Sequence, residues 1–105
     1  FYMTDKEITD LMKRRKRLVF RAKHRGIKEA DIIIGSFVEK FHQTFSQKNC
    51  AWFELMFEET DYDILNWITK KAPPPTMFNK KIMHRMQKID YITIDIKQDI
   101  KENGI

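Results

Sequence analysis

Few side chains in this 105-residue chain are of the types that perform catalysis or bind metals. Cys50 is the one cysteine, so neither an internal disulfide nor a paired-thiol redox site can form. His24, His42 and His84 are far apart, and none has the i, i+4 partner of a helical metal site. No nucleophile with an adjacent base and no phosphate-binding glycine loop is present. The sequence therefore predicts neither an enzyme nor a metal site.

The segment 24–31 combines side chains that suit recognition of a partner. Arg25 offers a planar fork of hydrogen-bond donors. Gly26 leaves the backbone bare, so that a partner's chain could approach closely. Glu29 and Asp31 place carboxylates near the free amides at the start of the following helix. In the alternative reading, Gly26 only ends a helix and Arg25 forms a surface ion pair with Glu29, which would contribute about 0–1 kcal/mol.

These residues must be positioned by helices, because the composition favours an all-α fold. The chain has three glycines and three prolines, a charged fraction of 33% and a hydrophobic fraction of 42%, which is enough for one core. We expect one domain spanning residues 1–105, with its core between about residues 5 and 90. Phe1 and Tyr2 precede Met3, and we expect them to be an expression remnant.

The first helix is predicted to begin at a cap formed by Thr4 or Asp5 and to end at Gly26, after a basic last turn. Its apolar residues are expected to form one buried stripe: Ile8, Leu11, Met12, Leu18, Val19 and Ala22.

Four further helices are predicted, which makes a single five-helix bundle with short connections. The second carries apolar residues at helical spacing from Ala30 to Phe45, Ser46 caps the third, and Thr60 or Asp61 caps the fourth. Trp67 is expected to be part of the core rather than a residue that stacks on a ligand. After the segment 73–75, which consists of prolines, a long last helix is predicted with these apolar residues: Ile82, Met86, Ile89, Ile96 and Ile100.

The net charge of +5 predicts an acidic partner, but the charges are unevenly distributed. Residues 13–28 carry nine basic side chains and no acid, whereas all charges in residues 54–63 are acidic. A small nucleic-acid-binding module is the alternative function, because small basic bundles often bind grooves. Against it, the basic residues surround the first helix, and no groove-reading recognition helix follows. A general interaction scaffold is the remaining alternative.

Five motifs follow one another between Arg14 and Arg85. They are the basic and apolar stretch 17–21, Arg25-Gly26-x-x-Glu29, an aromatic second helix, Asp61-Tyr62-Asp63-Ile64-Leu65-Asn66-Trp67 and Ala72-Pro73-Pro74-Pro75. Each motif is weak alone, but their joint order resembles the succinate dehydrogenase assembly factor 2 family, the bacterial and mitochondrial flavinylation factors. Two positions differ from the family pattern, since His24 stands where arginine is frequent and Ala30 where leucine is usual.

The resemblance implies that the chain is an assembly factor and not an enzyme. Factors of that family bind the flavoprotein subunit of succinate dehydrogenase and promote the bond between one of its histidines and the 8α-methyl carbon of FAD. The resemblance implies that Arg25, Gly26 and Glu29 meet this client near its flavin-attachment site. Further contacts are expected from His24, Asp31, Asp61 and Asp63. No catalytic residue is assigned, and the FAD belongs to the client, since no dinucleotide fingerprint is present.

The remaining expectations concern assembly and compartment. No apolar run approaches the roughly 20 residues that cross a bilayer, and no signal peptide is recognised. We expect a monomer in the bacterial cytoplasm or, in a eukaryote, in the mitochondrial matrix. Fumarate reductase is left open as a second client.

Overall fold

The computed structural model describes residues 2–92, and this part of the chain is all-α. Its helices are α1 (Asp5–Lys23), α2 (Lys28–Phe41), α3 (Gln47–Met56), α4 (Asp61–Ile68) and α5 (Lys81–Met86), with a 3₁₀ turn at His42–Thr44 between α2 and α3. The predicted five-helix bundle is therefore confirmed.

Side-chain caps fix where three of the helices begin. The Thr4 hydroxyl accepts a hydrogen bond from the backbone N–H of Glu7 at 3.1 Å and starts α1. Ser46 and Asn49 form a reciprocal capping box at the start of α3. Thr60 caps α4 in the same way as Thr4 caps α1. These caps fall where the sequence predicts them, because short polar side chains before an apolar run satisfy amides that have no helical partner.

Helices α1 and α2 pack closely at Gly35. A Cβ atom added at Gly35 would lie 3.1 Å from Cγ of Lys23 and 3.3 Å from the carbonyl oxygen of Ala22. The absence of a side chain therefore brings the end of α1 against the middle of α2. This contact sets the direction in which the chain enters the link between the two helices.

An aromatic cluster joins α2, α3, α4 and the segment before α5. Phe53 is buried and stacks on Phe45, with ring centroids 4.8 Å apart. Trp67 is buried and stacks on Phe78 at 5.5 Å, which confirms its predicted place in the core. Cys50 is also buried, and desolvation raises the pKa of its thiol, as expected for a small apolar filler.

The prediction of one buried stripe along α1 is wrong for Ile8 and Met12. Leu11, Leu18 and Ala22 are buried, but Ile8 and Met12 are exposed. The neighbouring helices α2 and α3 pack against α1 but leave Ile8 and Met12 at the surface.

The predicted long last helix is also wrong, because α5 ends at Met86. Ile89 has a φ of 48°, which a helix cannot accommodate. Tyr91 then turns back into the core, where its hydroxyl donates to the Met86 carbonyl at 2.9 Å and its ring meets Phe37 edge-on at 5.0 Å. In this β-branched segment, burying the aromatic ring stabilises the fold more than extending the helix would. The rest of the predicted helix, including Ile96 and Ile100, lies outside the described residues.

Within residues 2–92, no helix combines the length and apolar character that crossing a membrane requires.

Candidate partner-binding site

The link between α1 and α2 forms a sharp corner at Gly26. Its φ of +115° lies in a region that side chains rarely adopt, so glycine is required by the backbone conformation. Space is not the constraint, because a Cβ atom here would have Asp61 Oδ2 as its nearest neighbour at 3.9 Å. The residue itself is exposed. The corner thus presents bare backbone to the solvent.

The side chain of Arg25 ties this corner to the link between α3 and α4. Its Nε donates to Asp61 Oδ1 at 2.7 Å, and its two terminal nitrogens donate to the carbonyl oxygens of Phe57 at 2.8 Å and Glu59 at 2.9 Å. The guanidinium carbon also lies 5.1 Å from the centroid of the Phe57 ring. The Arg25 and Asp61 side chains are only 10% and 16% exposed. The alternative surface pair between Arg25 and Glu29 is therefore wrong.

Asp31 closes the corner from the side of α2. Its Oδ1 accepts a hydrogen bond from the backbone N–H of Arg25 at 2.6 Å. Three of the predicted site residues, Arg25, Asp31 and Asp61, are thus brought together around Gly26 in one hydrogen-bonded network. Such a network restricts the conformation of the corner.

The other three predicted site residues face the solvent. Glu29 is exposed in the first turn of α2 and makes no side-chain hydrogen bond or ion pair within residues 2–92. Asp63 is exposed in the first turn of α4. His24 is exposed, its Nδ1 lies 2.7 Å from the Phe20 carbonyl oxygen, and its ring stacks on the Phe20 ring at 4.2 Å. These side chains are accessible at the surface of the corner and of α4.

Phe20 is not among the predicted site residues. The ring is 64% exposed on α1, one turn before His24. A large aromatic residue among consecutive cations was a usable signal, because a stacked ring beside positive charge is frequent at interfaces.

The basic first helix and the acidic segment 54–63 neutralise each other in part. Arg14 donates to Glu54 at 2.5 Å, and this hydrogen bond holds the pKa of the Glu54 carboxyl below its usual range. Arg21 lies 3.5 Å from Glu58, which adds a second link between α1 and this segment. The uneven charge pattern of the sequence therefore serves the fold as well as any partner.

No cluster of three or more His, Cys, Asp or Glu side chains that could hold a metal ion is found between residues 2 and 92. The arrangement offers recognition groups: a bare backbone turn, a free carboxylate and a stacked aromatic pair.

Residues 16–90 match the model of a protein family described as flavinator of succinate dehydrogenase. This chain belongs to that family. The resemblance drawn from the motif order is thereby confirmed. All seven predicted site residues lie inside the matched segment. Ile8 and Met12 precede it.

Individual relatives carry consistent names. The chain is 33% identical over 81 residues to succinate dehydrogenase assembly factor 2, mitochondrial, of Dictyostelium discoideum, covering 77% of this chain and 57% of that protein. It is 36% identical over 77 residues to the FAD assembly factor SdhE of Acetobacter pasteurianus, covering 73% and 71%. The mitochondrial assembly factor 2 of Debaryomyces hansenii is 33% identical over 78 residues, covering 70% and 55%. The chain thus spans little more than half the length of the two eukaryotic relatives.

Proposed function

We propose that this chain promotes the covalent attachment of FAD to the flavoprotein subunit of succinate dehydrogenase by docking on that subunit. The family match over residues 16–90 is the observation that carries the proposal, because it includes the whole corner around Gly26. Relatives named as FAD assembly factor and succinate dehydrogenase assembly factor support it. The fold and the relatives give the nucleic-acid alternative no comparable support.

The corner suits docking because it is both rigid and open. Gly26 lets the client's backbone approach, and the free carboxylate of Glu29 can accept hydrogen bonds from the client. Arg25, Asp31 and Asp61 hold these groups in place through their own hydrogen bonds. A pre-formed surface binds with a smaller loss of conformational entropy than a mobile one.

The reacting groups in this proposal belong to the client and to its FAD. The factor holds the client so that its histidine and the flavin lie in attack geometry, which lowers the entropic part of the barrier. It supplies no catalytic group and binds FAD only as part of the client. We propose that it acts as a monomer, in the compartment where the flavoprotein subunit folds, and that the fumarate reductase flavoprotein is a second client.

The test measures covalent flavin on the succinate dehydrogenase flavoprotein subunit in cells that lack their own factor. Flavin fluorescence is read after denaturing electrophoresis, with wild-type or Glu29→Ala protein supplied. Wild type is expected to restore the signal and Glu29→Ala to lose most of it.

Glu7→Ala is the matched control, since Glu7 is an exposed glutamate in the first turn of α1, as Glu29 is in α2. Each substitution removes a similar interaction with the helix dipole, about 0.3–1 kcal/mol. If Glu7→Ala and Glu29→Ala lost covalent flavin equally, the result would contradict docking through the Gly26 corner. Failure of wild type to restore any covalent flavin would reject the function itself.

A further inference from the structure

A groove of about 810 Å³ lies between α1 and the end of α2, beside the buried residues of α1. Ile8, Met12 and Phe20 of α1 form the apolar side of this α1 groove. The end of α2 and the following 3₁₀ turn form its second wall. His24 lines the groove as well, so the groove is continuous with the Gly26 corner.

The apolar side chains of the α1 groove are unusually accessible. Ile8 is 44%, Met12 61% and Phe20 64% exposed, while Leu11 and Leu18 of the same helix are buried. The apolar surface of α1 is therefore wider than its buried stripe, and the described residues leave one flank of it open. Contiguous exposed apolar side chains of this kind mark interaction sites.

The charges around the α1 groove are mainly positive. Arg15, Lys16 and Lys23 line it together with one acid, Glu39, which is already paired with Lys23 at 2.8 Å. Arg15 donates hydrogen bonds from Nε and one terminal nitrogen to the Phe45 carbonyl oxygen, and it has no carboxylate partner within residues 2–92. Lys16 is exposed and forms no ion pair within residues 2–92. An acidic occupant would find attractive charges beside the apolar side chains of the groove.

The shape of the groove favours a polypeptide segment over a lipid surface. The end of α2 stands opposite α1, so an occupant has to fit between two walls. A helix or extended segment can enter such a groove with its apolar side, whereas a planar headgroup layer cannot.

We propose that the α1 groove binds an acidic amphipathic segment of the flavoprotein client, with apolar side chains against Met12 and Phe20 and carboxylates beside Arg15 and Lys16. This inference rests on the proposed function, and it extends the docking surface beyond the Gly26 corner. Ile8 and Met12 precede the segment that matches the family, so this part of the surface is a property of the chain's own first helix.

The test compares binding of the purified flavoprotein subunit to fluorescently labelled wild type, Met12→Glu, Lys16→Glu and Glu29→Ala. Both groove variants are expected to weaken binding by about tenfold or more, because Met12→Glu places a charge against apolar side chains of the occupant and Lys16→Glu places one beside its carboxylates. Higher salt is expected to weaken wild-type binding more than binding by Lys16→Glu, in which the attractive charge is absent. Both substituted residues are exposed in α1, and circular dichroism checks that the variants remain helical.

Met77→Glu is the matched control, because Met77 is 50% exposed and lies outside the α1 groove. It should bind within about twofold of wild type. If Glu29→Ala weakens binding but Met12→Glu and Lys16→Glu do not, the groove proposal is rejected while the proposed function stands. Equal loss in Met12→Glu and Met77→Glu also rejects the groove. If wild type does not bind the subunit, both proposals fail.

Vesicles of anionic lipid provide the remaining comparison. The proposal would be overturned if wild type bound these vesicles and Met12→Glu did not, while Met12→Glu still bound the subunit with unchanged affinity. That result would assign the groove to a membrane surface.

Discussion

At the scale of single residues, Arg25 holds the corner and Glu29 is left free at its surface. The guanidinium uses its donors on one carboxylate and two backbone carbonyl oxygens, all within the molecule. Removing it would leave Asp61 without its counter-ion and the Phe57 and Glu59 carbonyls without these donors. Loss of function in an Arg25 variant would therefore indicate a change in the shape of the corner. It would not by itself demonstrate a contact between Arg25 and the client.

Arg25→Ala is expected to lower the free energy of unfolding by about 2–4 kcal/mol, because it strands a largely buried carboxylate and two acceptors. Arg25→Lys should recover only part of this loss, since an ammonium group lacks the planar fork. Urea unfolding followed by circular dichroism measures both. Arg21→Ala is the control, expected to cost less than about 1 kcal/mol because its pair with Glu58 is solvent-exposed. Equal costs for Arg25→Ala and Arg21→Ala would contradict the structural role.

The sequence was sufficient to locate the corner, because an Arg-Gly pair after a basic helix end indicates a turn with positive φ. It was not sufficient to assign the partners of Arg25. Asp61 is 36 positions further along the chain, and the Phe57 and Glu59 acceptors are backbone atoms that no side-chain pattern reveals. The binding roles of the seven predicted residues remain predictions.

At the scale of elements, the contact of α1 with α2 depends on a glycine inside a helix. Glycine weakens a helix interior by roughly 0.8–1 kcal/mol relative to alanine, so Gly35 needs a compensating gain. That gain is the close approach of α2 to Ala22 and Lys23 on α1.

Gly35→Leu is expected to cost about 1–3 kcal/mol, because a long side chain cannot fit against the Ala22 carbonyl without moving α1. In Gly35→Ala, the improved helix propensity offsets much of a smaller steric cost, so this variant should stay close to wild type. Thermal unfolding of the two variants distinguishes them. A Leu variant as stable as the Ala variant would show that the helices are not closely packed there.

The predicted helix boundaries are confirmed where local hydrogen bonding determines them. Thr4, Ser46 and Thr60 begin helices because their oxygens satisfy adjacent amides. The prediction failed where tertiary packing decides. Met12 is apolar at helical spacing, but the described residues leave it 61% exposed. Tyr91 leaves the helical path to fill a space between Phe37 and Met86.

At the scale of the whole molecule, Tyr91 packs the end of the described part of the chain against the core. Its ring is buried, and desolvation raises the pKa of its hydroxyl well above the usual tyrosine value. A neutral Tyr91 is therefore a condition for the packed state.

The free energy of unfolding is expected to fall as pH rises above about 10, because Tyr91 ionises at that pH when unfolded but stays neutral when folded. Below about pH 10 this contribution is fully present. Tyr91→Phe should show a shallower decline, at the cost of about 0.5–1.5 kcal/mol at neutral pH for the lost hydrogen bond to Met86. Denaturant unfolding between pH 8 and about pH 12 gives both slopes. If the free energy of unfolding declined equally with pH in wild type and Tyr91→Phe, ionisation of Tyr91 would be excluded as the cause of the loss at high pH.

The two tryptophans of the chain share one neighbour, which has a spectroscopic consequence. Trp52 meets the Phe78 ring edge-on at 5.9 Å, and Trp67 stacks on it at 5.5 Å. Intrinsic emission from both indoles therefore senses the same local environment, at the end of α4 opposite the Gly26 corner. A shift in emission wavelength will record the release of Phe78, and a fluorophore attached near the corner is needed to see that region separately.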